Sequence, residues 1–91
     1  MKSRIHVFVS GRVQGVFFRY ETRKTAKDLG IKGWVRNLPD GRVEVIAEVD
    51  KDKIDNLIEF LKKGTPAARI DKVDVETEEY QNEFEDFTIK Y

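Results

Sequence analysis

The sequence predicts an α+β fold of the ferredoxin-like type, a βαββαβ sandwich plus a short C-terminal strand, with two helices on one face of an antiparallel sheet. Five stretches alternate apolar and polar residues, the pattern of half-buried strands. Two stretches repeat apolar residues every three or four positions, the pattern of amphipathic helices. Ninety-one residues suffice for one hydrophobic core, so residues 1–91 are expected to form a single domain.

The first part of the chain predicts a strand, a glycine-containing loop and a helix. Strand one is centred on residues 5–9, and two glycines within residues 11–16 break its alternation and predict a loop. A helix follows over about residues 18–29, and Gly30 ends it. Its apolar or small face consists of Phe18, Thr22, Ala26 and Leu29.

Two further strands are predicted over residues 32–37 and 43–49, joined by a turn at residues 38–41 that contains Pro and Gly. A right-handed strand–helix–strand crossover makes strands one and two parallel, so their C-terminal ends lie at the same edge of the sheet. The glycine loop and Asn37, the last residue of strand two, are therefore expected to share that edge.

The second helix is predicted to begin after Asp50, a suitable N-cap, and to end at Gly64, with Pro66 preventing its continuation. Its apolar stripe is formed by Ile54, Leu57, Ile58 and Leu61. Alternation predicts strand four over residues 73–77 and a short fifth strand over residues 87–91. The sequence does not fix which strand the fifth one pairs with.

Composition excludes several classes of function. Seventeen basic and seventeen acidic side chains cancel, so we expect no general attraction to nucleic acid or to an anionic membrane. The absence of cysteine excludes disulfides, thiolate nucleophiles and thiolate metal sites. No apolar leader or membrane-length apolar run occurs, which predicts a cytoplasmic protein. High charge content with a single methionine is typical of thermophile proteins.

An anion site is expected where the glycine loop meets the first helix. The N-terminal amides of that helix and the loop amides point toward the same edge of the sheet. Arg19 lies in the first helical turn, where a cation is unfavourable unless it faces an anionic ligand, and a guanidinium matches two phosphate oxygens. Taken alone, however, Arg19 is better explained as a solvated helix residue or an ion-pair partner of Glu21 or Glu85, and Asn37 as the first residue of the turn before Pro39.

Three strings of residues carry a family resemblance. Residues 11–19 read GRVQGVFFR, residues 33–37 read GWVRN, and residues 64–66 read GTP. Their order and spacing resemble the acylphosphatase family along essentially the whole chain. Two departures are mild: Phe17 stands where some members have glycine, and Thr65 stands where serine is common.

The resemblance implies hydrolysis of small acyl phosphates without metal or organic cofactor, with inorganic phosphate as product and inhibitor. A monomer is expected by default, because the sequence does not determine the oligomeric state. It implies that the side chain of Arg19 binds the phosphate and that Asn37 positions the attacking water. It also implies phosphate-binding backbone amides at Gly15, Val16, Phe17, Phe18 and Arg19. It implies further that the attacking water gives its proton to the phosphate of the substrate. Broad tolerance for small acyl groups is expected, because nothing in the sequence defines a pocket for the acyl part.

Other side chains are expected to be structural. Phe17, Phe18 and Trp34 are predicted to pack in the core or under the loop, and His6 to be an ordinary strand residue. The aspartates near residue 52 suit a helix start better than a cation site, because the glycine and distal glutamate of a calcium loop are missing.

Three alternative functions remain open at this point. A ferredoxin-like module could bind an anionic metabolite without turning it over. An RNA-recognition domain shares the strand order, but residues 43–47 (VEVIA) lack its stacking aromatics. A detached relative of the acylphosphatase-like domains in carbamoyl-transfer proteins would use the same site for carbamoyl phosphate.

Overall fold

The computed structural model describes residues 1–91. The elements in chain order are β1 (Lys2–Arg12), α1 (Phe18–Asp28), β2 (Lys32–Asn37), β3 (Val43–Asp50), α2 (Lys51–Lys63), β4 (Arg69–Glu78) and β5 (Phe87–Lys90). The predicted order and the ferredoxin-like class are confirmed. Neither helix has the length and apolar character that crossing a membrane would require.

The five strands form one sheet in the order β4-β1-β3-β2-β5. The first four strands pair antiparallel, as expected, whereas β5 pairs parallel with β2, so the whole sheet is mixed. This direction follows from where β4 ends: its last residue, Glu78, pairs with Arg4 near the start of β1. The chain then crosses to β2 and enters β5 at the same edge, which makes β5 run alongside β2.

Helix α1 follows its predicted pattern closely. Phe18, Thr22 and Ala26 are buried against the sheet. At the C-terminus the amide of Gly30 donates to the carbonyl of Lys27 at 3.0 Å, and the amide of Ile31 donates to that of Ala26 at 2.8 Å. These are the two bonds of a Schellman motif, so the predicted glycine cap is confirmed.

Helix α2 buries Ile54, Leu57 and Leu61. Asp50 occupies the predicted N-cap position, but its side chain makes no capping hydrogen bond. Its carboxylate instead lies 3.5 Å from the ammonium group of Lys2, the residue opposite it across the β1–β3 ladder. The ion pair draws the side chain away from the helical amides.

Strand β1 is longer than predicted, because Gly11 and Arg12 belong to it and not to the loop. They pair with Ile70 and Arg69 of β4 after a bulge at Ser10 and Gly11. A Cβ atom on Gly11 would lie 2.0 Å from the carbonyl oxygen of Arg69, so close backbone approach requires this glycine. The loop therefore covers only residues 13–17.

The two faces of the sheet differ in chemistry. A cluster of 16 buried hydrophobic residues fills the space between the sheet and the two helices. On the other face the guanidinium of Arg4 contacts the carboxylates of Glu48 at 3.1 Å, Glu78 at 2.9 Å and Glu83 at 2.6 Å. This charged face, centred on Arg4, ties the segment between β4 and β5 to the middle of the sheet.

Candidate active site

The loop of residues 13–17 presents the first amides of α1 without acceptors from the helix. Phe17 stands at the N-cap in the left-handed conformation, with φ 61° and ψ 18°, and its side chain makes no capping bond. The first helical hydrogen bond runs from the amide of Glu21 to the carbonyl of Phe17 at 3.0 Å. The amides that precede Glu21 in the first turn thus have no helical carbonyl to bind. They form the positive end of the helix dipole.

Two anchors hold the loop in place. Val13 and Val16 are buried, with relative exposures of 1% and 9%, and fix its underside to the core. Gln14 donates from Nε2 to the carbonyls of Leu38 at 2.8 Å and Arg42 at 3.0 Å. The loop is therefore tied to the β2–β3 turn. The sequence alone predicted no role for Gln14. Its position within the GRVQGVFFR string was the one feature that could have indicated such a role.

Arg19 is half-buried and lines a cavity of about 380 Å³ at the loop. The cavity wall consists of Val13, Gly15, Phe17, Phe18, Arg19, Tyr20, Arg23, Ile89 and Tyr91. The Cζ atom of Arg19 lies 5.1 Å from the centroid of the Tyr91 ring. No carboxylate pairs with this guanidinium, so the ion pair with Glu21 or Glu85 that the sequence left open does not form.

Unpaired arginines are concentrated at this cavity. Four of the seven arginines make ion pairs, namely Arg4, Arg36, Arg42 and Arg69. Of the remaining three, Arg19 and Arg23 both line the cavity, and Arg12 is the last residue of β1, directly before the loop. The wall contains no acidic side chain. A wall with two arginines and no carboxylate side chain suits an anionic ligand.

Asn37 lies at the same edge of the sheet. Val43 of β3 pairs with Asn37 on one side and with Val9 of β1 on the other, so the last residue of β2 lies level with Val9, shortly before β1 leads into the loop. The side-chain oxygen of Asn37 is buried and has no hydrogen-bond partner in the chain. Buried polar atoms are nearly always paired, so this oxygen is an exception that calls for a ligand or water.

The predicted site residues fall into three positions. Gly15, Phe17, Phe18 and Arg19 line the cavity together. Val16 is buried beneath the loop and is not part of the wall. Asn37 is not part of the wall either, and it lies next to the turn that Gln14 clamps.

The expectations for the aromatic residues need correction. Phe18 is buried as predicted, but Phe17 is 80% exposed, because its left-handed backbone turns the ring away from the core. Trp34 lies half-buried on the charged face, with Arg36 and Lys90 over its ring. Tyr20 and Tyr91 were not assigned to the site at all. Tyr91 could not be placed from the sequence, because the pairing of β5 was unknown.

His6 lies on the charged face, in the first half of β1. Its ring nitrogens lie 2.5 Å from a carboxylate oxygen of Glu44 and 3.2 Å from one of Glu78. Burial raises the pKa of Glu44, but hydrogen bonds from His6 and Arg36 outweigh it and leave that pKa below its ordinary value. This histidine belongs to a charge network of the sheet. No group of three or more acidic or histidine side chains is arranged to hold a metal ion.

Comparison with known proteins identifies relatives of the whole chain. The family model described as Acylphosphatase matches residues 5–89. The chain is 50% identical to an acylphosphatase from Syntrophobacter fumaroxidans, covering 99% of this chain and 93% of the relative. It is 57% identical to an acylphosphatase from Acaryochloris marina, over 89% of this chain and 86% of that one. A solved acylphosphatase structure from Coxiella burnetii superposes with a TM-score of 0.92 at 43% identity, covering 98% of this chain and 93% of that chain.

Proposed function

The chain belongs to the acylphosphatase family, and from this premise we propose that it hydrolyses acyl phosphates to a carboxylate and inorganic phosphate. In the proposed site, the side chain of Arg19 and the amides of residues 15–19 hold the phosphate, and Asn37 positions water. One observation above all supports these roles: Arg19 carries no ion pair and lines a cavity with the loop that caps α1.

The charges at the cavity support the proposed phosphate binding. A phosphoryl group in transfer carries negative charge on three equatorial oxygens, and stabilisation of that charge is the main task of such a site. The amides in the first turn of α1 supply donors that the helix does not use. The guanidinium of Arg19 can donate two parallel hydrogen bonds to phosphate oxygens.

The environment of the Asn37 side chain supports its proposed role in holding water. Its buried side-chain oxygen accepts no hydrogen bond from the chain, so it is free to accept one from a water molecule. A carboxamide has no useful basicity, so Asn37 orients the water and does not deprotonate it. The proton passes to an oxygen of the substrate phosphate in the proposed reaction. The leaving carboxylate is a stable anion and needs no strong general acid.

The proposal can be tested by hydrolysis of benzoyl phosphate in the presence of a chelator, because the proposed site uses no metal. Wild-type protein should be active. Arg19→Ala should lower kcat/KM by roughly a hundredfold to a thousandfold and weaken inhibition by inorganic phosphate. Asn37→Ala should lower kcat by a similar factor of about a hundred while keeping most of the affinity for inorganic phosphate.

Arg12→Ala is the matched control, because Arg12 is also unpaired and near the loop but does not line the cavity. It should keep wild-type kinetics. Equal activity in the Arg19 and Asn37 variants and wild type would contradict the assigned roles. Phosphate binding without turnover of several acyl phosphates would instead favour the anion-binding module.

A further inference from the structure

Exposed apolar side chains gather at the mouth of the phosphate cavity. The chain exposes five large hydrophobic residues, which are Met1, Phe17, Tyr20, Val75 and Tyr91. Three of these five line the same cavity. Single exposed apolar residues are ordinary on a protein surface, whereas a cluster at one concave site marks a binding surface. We call Phe17, Tyr20 and Tyr91 the aromatic rim.

The exposure of Phe17 is imposed by its backbone. A bulky residue at φ 61° is unfavourable, because its Cβ atom crowds the following carbonyl. The ring gains little from packing in return, since it is 80% exposed. Residues held in such conformations concentrate at ligand sites, where the surrounding structure maintains them. The conformation of Phe17 therefore indicates that its ring contacts a ligand and does not serve core packing.

The two tyrosines lie beside the arginines of the cavity. The Tyr91 ring centroid is 5.1 Å from Cζ of Arg19, and the Tyr20 ring centroid is 5.9 Å from Cζ of Arg23. A phosphate bound to Arg19 would thus have the Tyr91 ring as its neighbour. The acyl group is joined to that phosphate through a single bridging oxygen, so it must lie within reach of the same ring.

We propose that the aromatic rim binds the acyl group of the substrate and selects aromatic or bulky apolar acyl phosphates over acetyl phosphate. This inference rests on the proposed function. It replaces the broad tolerance for small acyl groups that the sequence led us to expect with a preference for aromatic or bulky ones. Six of the nine lining residues are hydrophobic, and of the other three, Gly15 and Arg19 belong to the proposed phosphate end. The cavity of about 380 Å³ is of the size that holds a small ligand, with room for a ring beyond the phosphate.

The first test compares kcat/KM for benzoyl phosphate and acetyl phosphate. Wild type should prefer benzoyl phosphate by about tenfold or more, and Tyr20→Ala and Tyr91→Ala should each reduce that ratio by about threefold to tenfold. Tyr20→Phe should keep the wild-type ratio, because the ring is retained. Val75→Ala, which removes an exposed apolar side chain outside the cavity, is the matched control and should change neither substrate.

The second test measures binding without turnover, using benzoylphosphonate and acetylphosphonate in calorimetry. Tighter binding of benzoylphosphonate by wild type, lost in Tyr20→Ala, supports the rim even if no acyl phosphate is hydrolysed, in which case only the proposed function fails. An unchanged preference in both tyrosine variants overturns the rim while leaving hydrolysis intact. A stronger preference for succinyl phosphate than for benzoyl phosphate also overturns it, because Arg23 would then be binding a second anionic group.

Discussion

Phe17 shows how a single backbone conformation shapes this site. With φ at 61°, it ends the loop, stands at the N-cap of α1 and leaves its ring exposed at the cavity. The next residues, Phe18 and Arg19, then point in different directions, one buried in the core and the other lining the cavity. The aromatic pair in the sequence therefore serves two purposes, which the sequence pattern alone did not separate.

This conformation predicts an unusual order of stability for variants of Phe17. Both Phe17→Gly and Phe17→Ala remove the ring, but only glycine adopts positive φ without steric cost. Phe17→Gly should therefore be more stable than Phe17→Ala by about 1 kcal/mol in the free energy of unfolding. Urea denaturation at pH 7 measures the difference.

The matched control is the same pair of substitutions at Lys24, an exposed residue in the middle of α1. There the order should reverse, with Lys24→Ala more stable than Lys24→Gly by about 1 kcal/mol, because glycine is a poor helix former. If alanine were also the more stable choice at position 17, the left-handed assignment would be wrong.

At the level of single residues, the sequence strings were sufficient to select Arg19 and Asn37 as candidates. The structure adds that Arg19 has no carboxylate partner and that the side-chain oxygen of Asn37 is buried and unbonded. Gln14 was overlooked, because its bonds to Leu38 and Arg42 join segments more than 20 residues apart, with separations of 24 and 28. Such long-range contacts leave no local pattern.

At the level of elements, the charged face joins β1, β3 and β4 with the segment that leads to β5. Burial raises the pKa of Glu48, but the amides of Gln81 and Glu83 and the guanidinium of Arg4 outweigh it and leave the pKa below its ordinary value. A hydrogen bond from Arg4 lowers the pKa of Glu78 in the same network. Each of these carboxylates is better stabilised in the folded chain than in the unfolded one.

These shifts predict loss of stability in acid. A carboxylate whose pKa is lowered by folding stabilises the protein above its unfolded-state pKa, roughly 4.3 for glutamate, and loses that contribution as pH falls through the folded value. Glu48→Gln should therefore lower the free energy of unfolding by about 2 kcal/mol at pH 7 and by much less at pH values well below about 4. Urea denaturation across this pH range measures both effects.

Glu59→Gln provides the comparison, since Glu59 is exposed on α2 and makes no ion pair. The free energy of unfolding of the Glu59→Gln variant should equal that of wild type across the pH range. A Glu48→Gln variant whose deficit stayed constant from neutral to acid pH would show that the carboxylate charge does not contribute in the way described.

The sequence predicts the boundaries of an element where the local residue pattern determines them. It does not predict boundaries that depend on which strands pair. Strand β2 occupies Lys32–Asn37, as predicted, and α1 ends in its glycine cap. Strand β1 passes through Gly11 because β4 lies against it, a contact that alternation cannot reveal. Alternation also cannot reveal why Asp50 makes no capping hydrogen bond, because its ion pair with Lys2 joins β3 to β1.

At the level of the whole molecule, the topology brings three distant segments to one place. The loop after β1, the end of β2 and the residue after β5 all lie at the edge where α1 begins. The first two were predictable, because a right-handed crossover makes β1 and β2 parallel. The third was not, since only the crossing of residues 79–86 over the charged face determines that β5 lies parallel to β2.

The most direct test of the account is a titration of the ¹⁵N-labelled protein with inorganic phosphate, followed by amide NMR shifts. We predict the largest shifts at the amides of residues 15–19, their loss in Arg19→Ala, and their retention in Arg12→Ala and Asn37→Ala. Shifts centred instead on the charged face around Trp34, Arg36 and Lys90, or an unchanged response in Arg19→Ala, would contradict the proposed phosphate site.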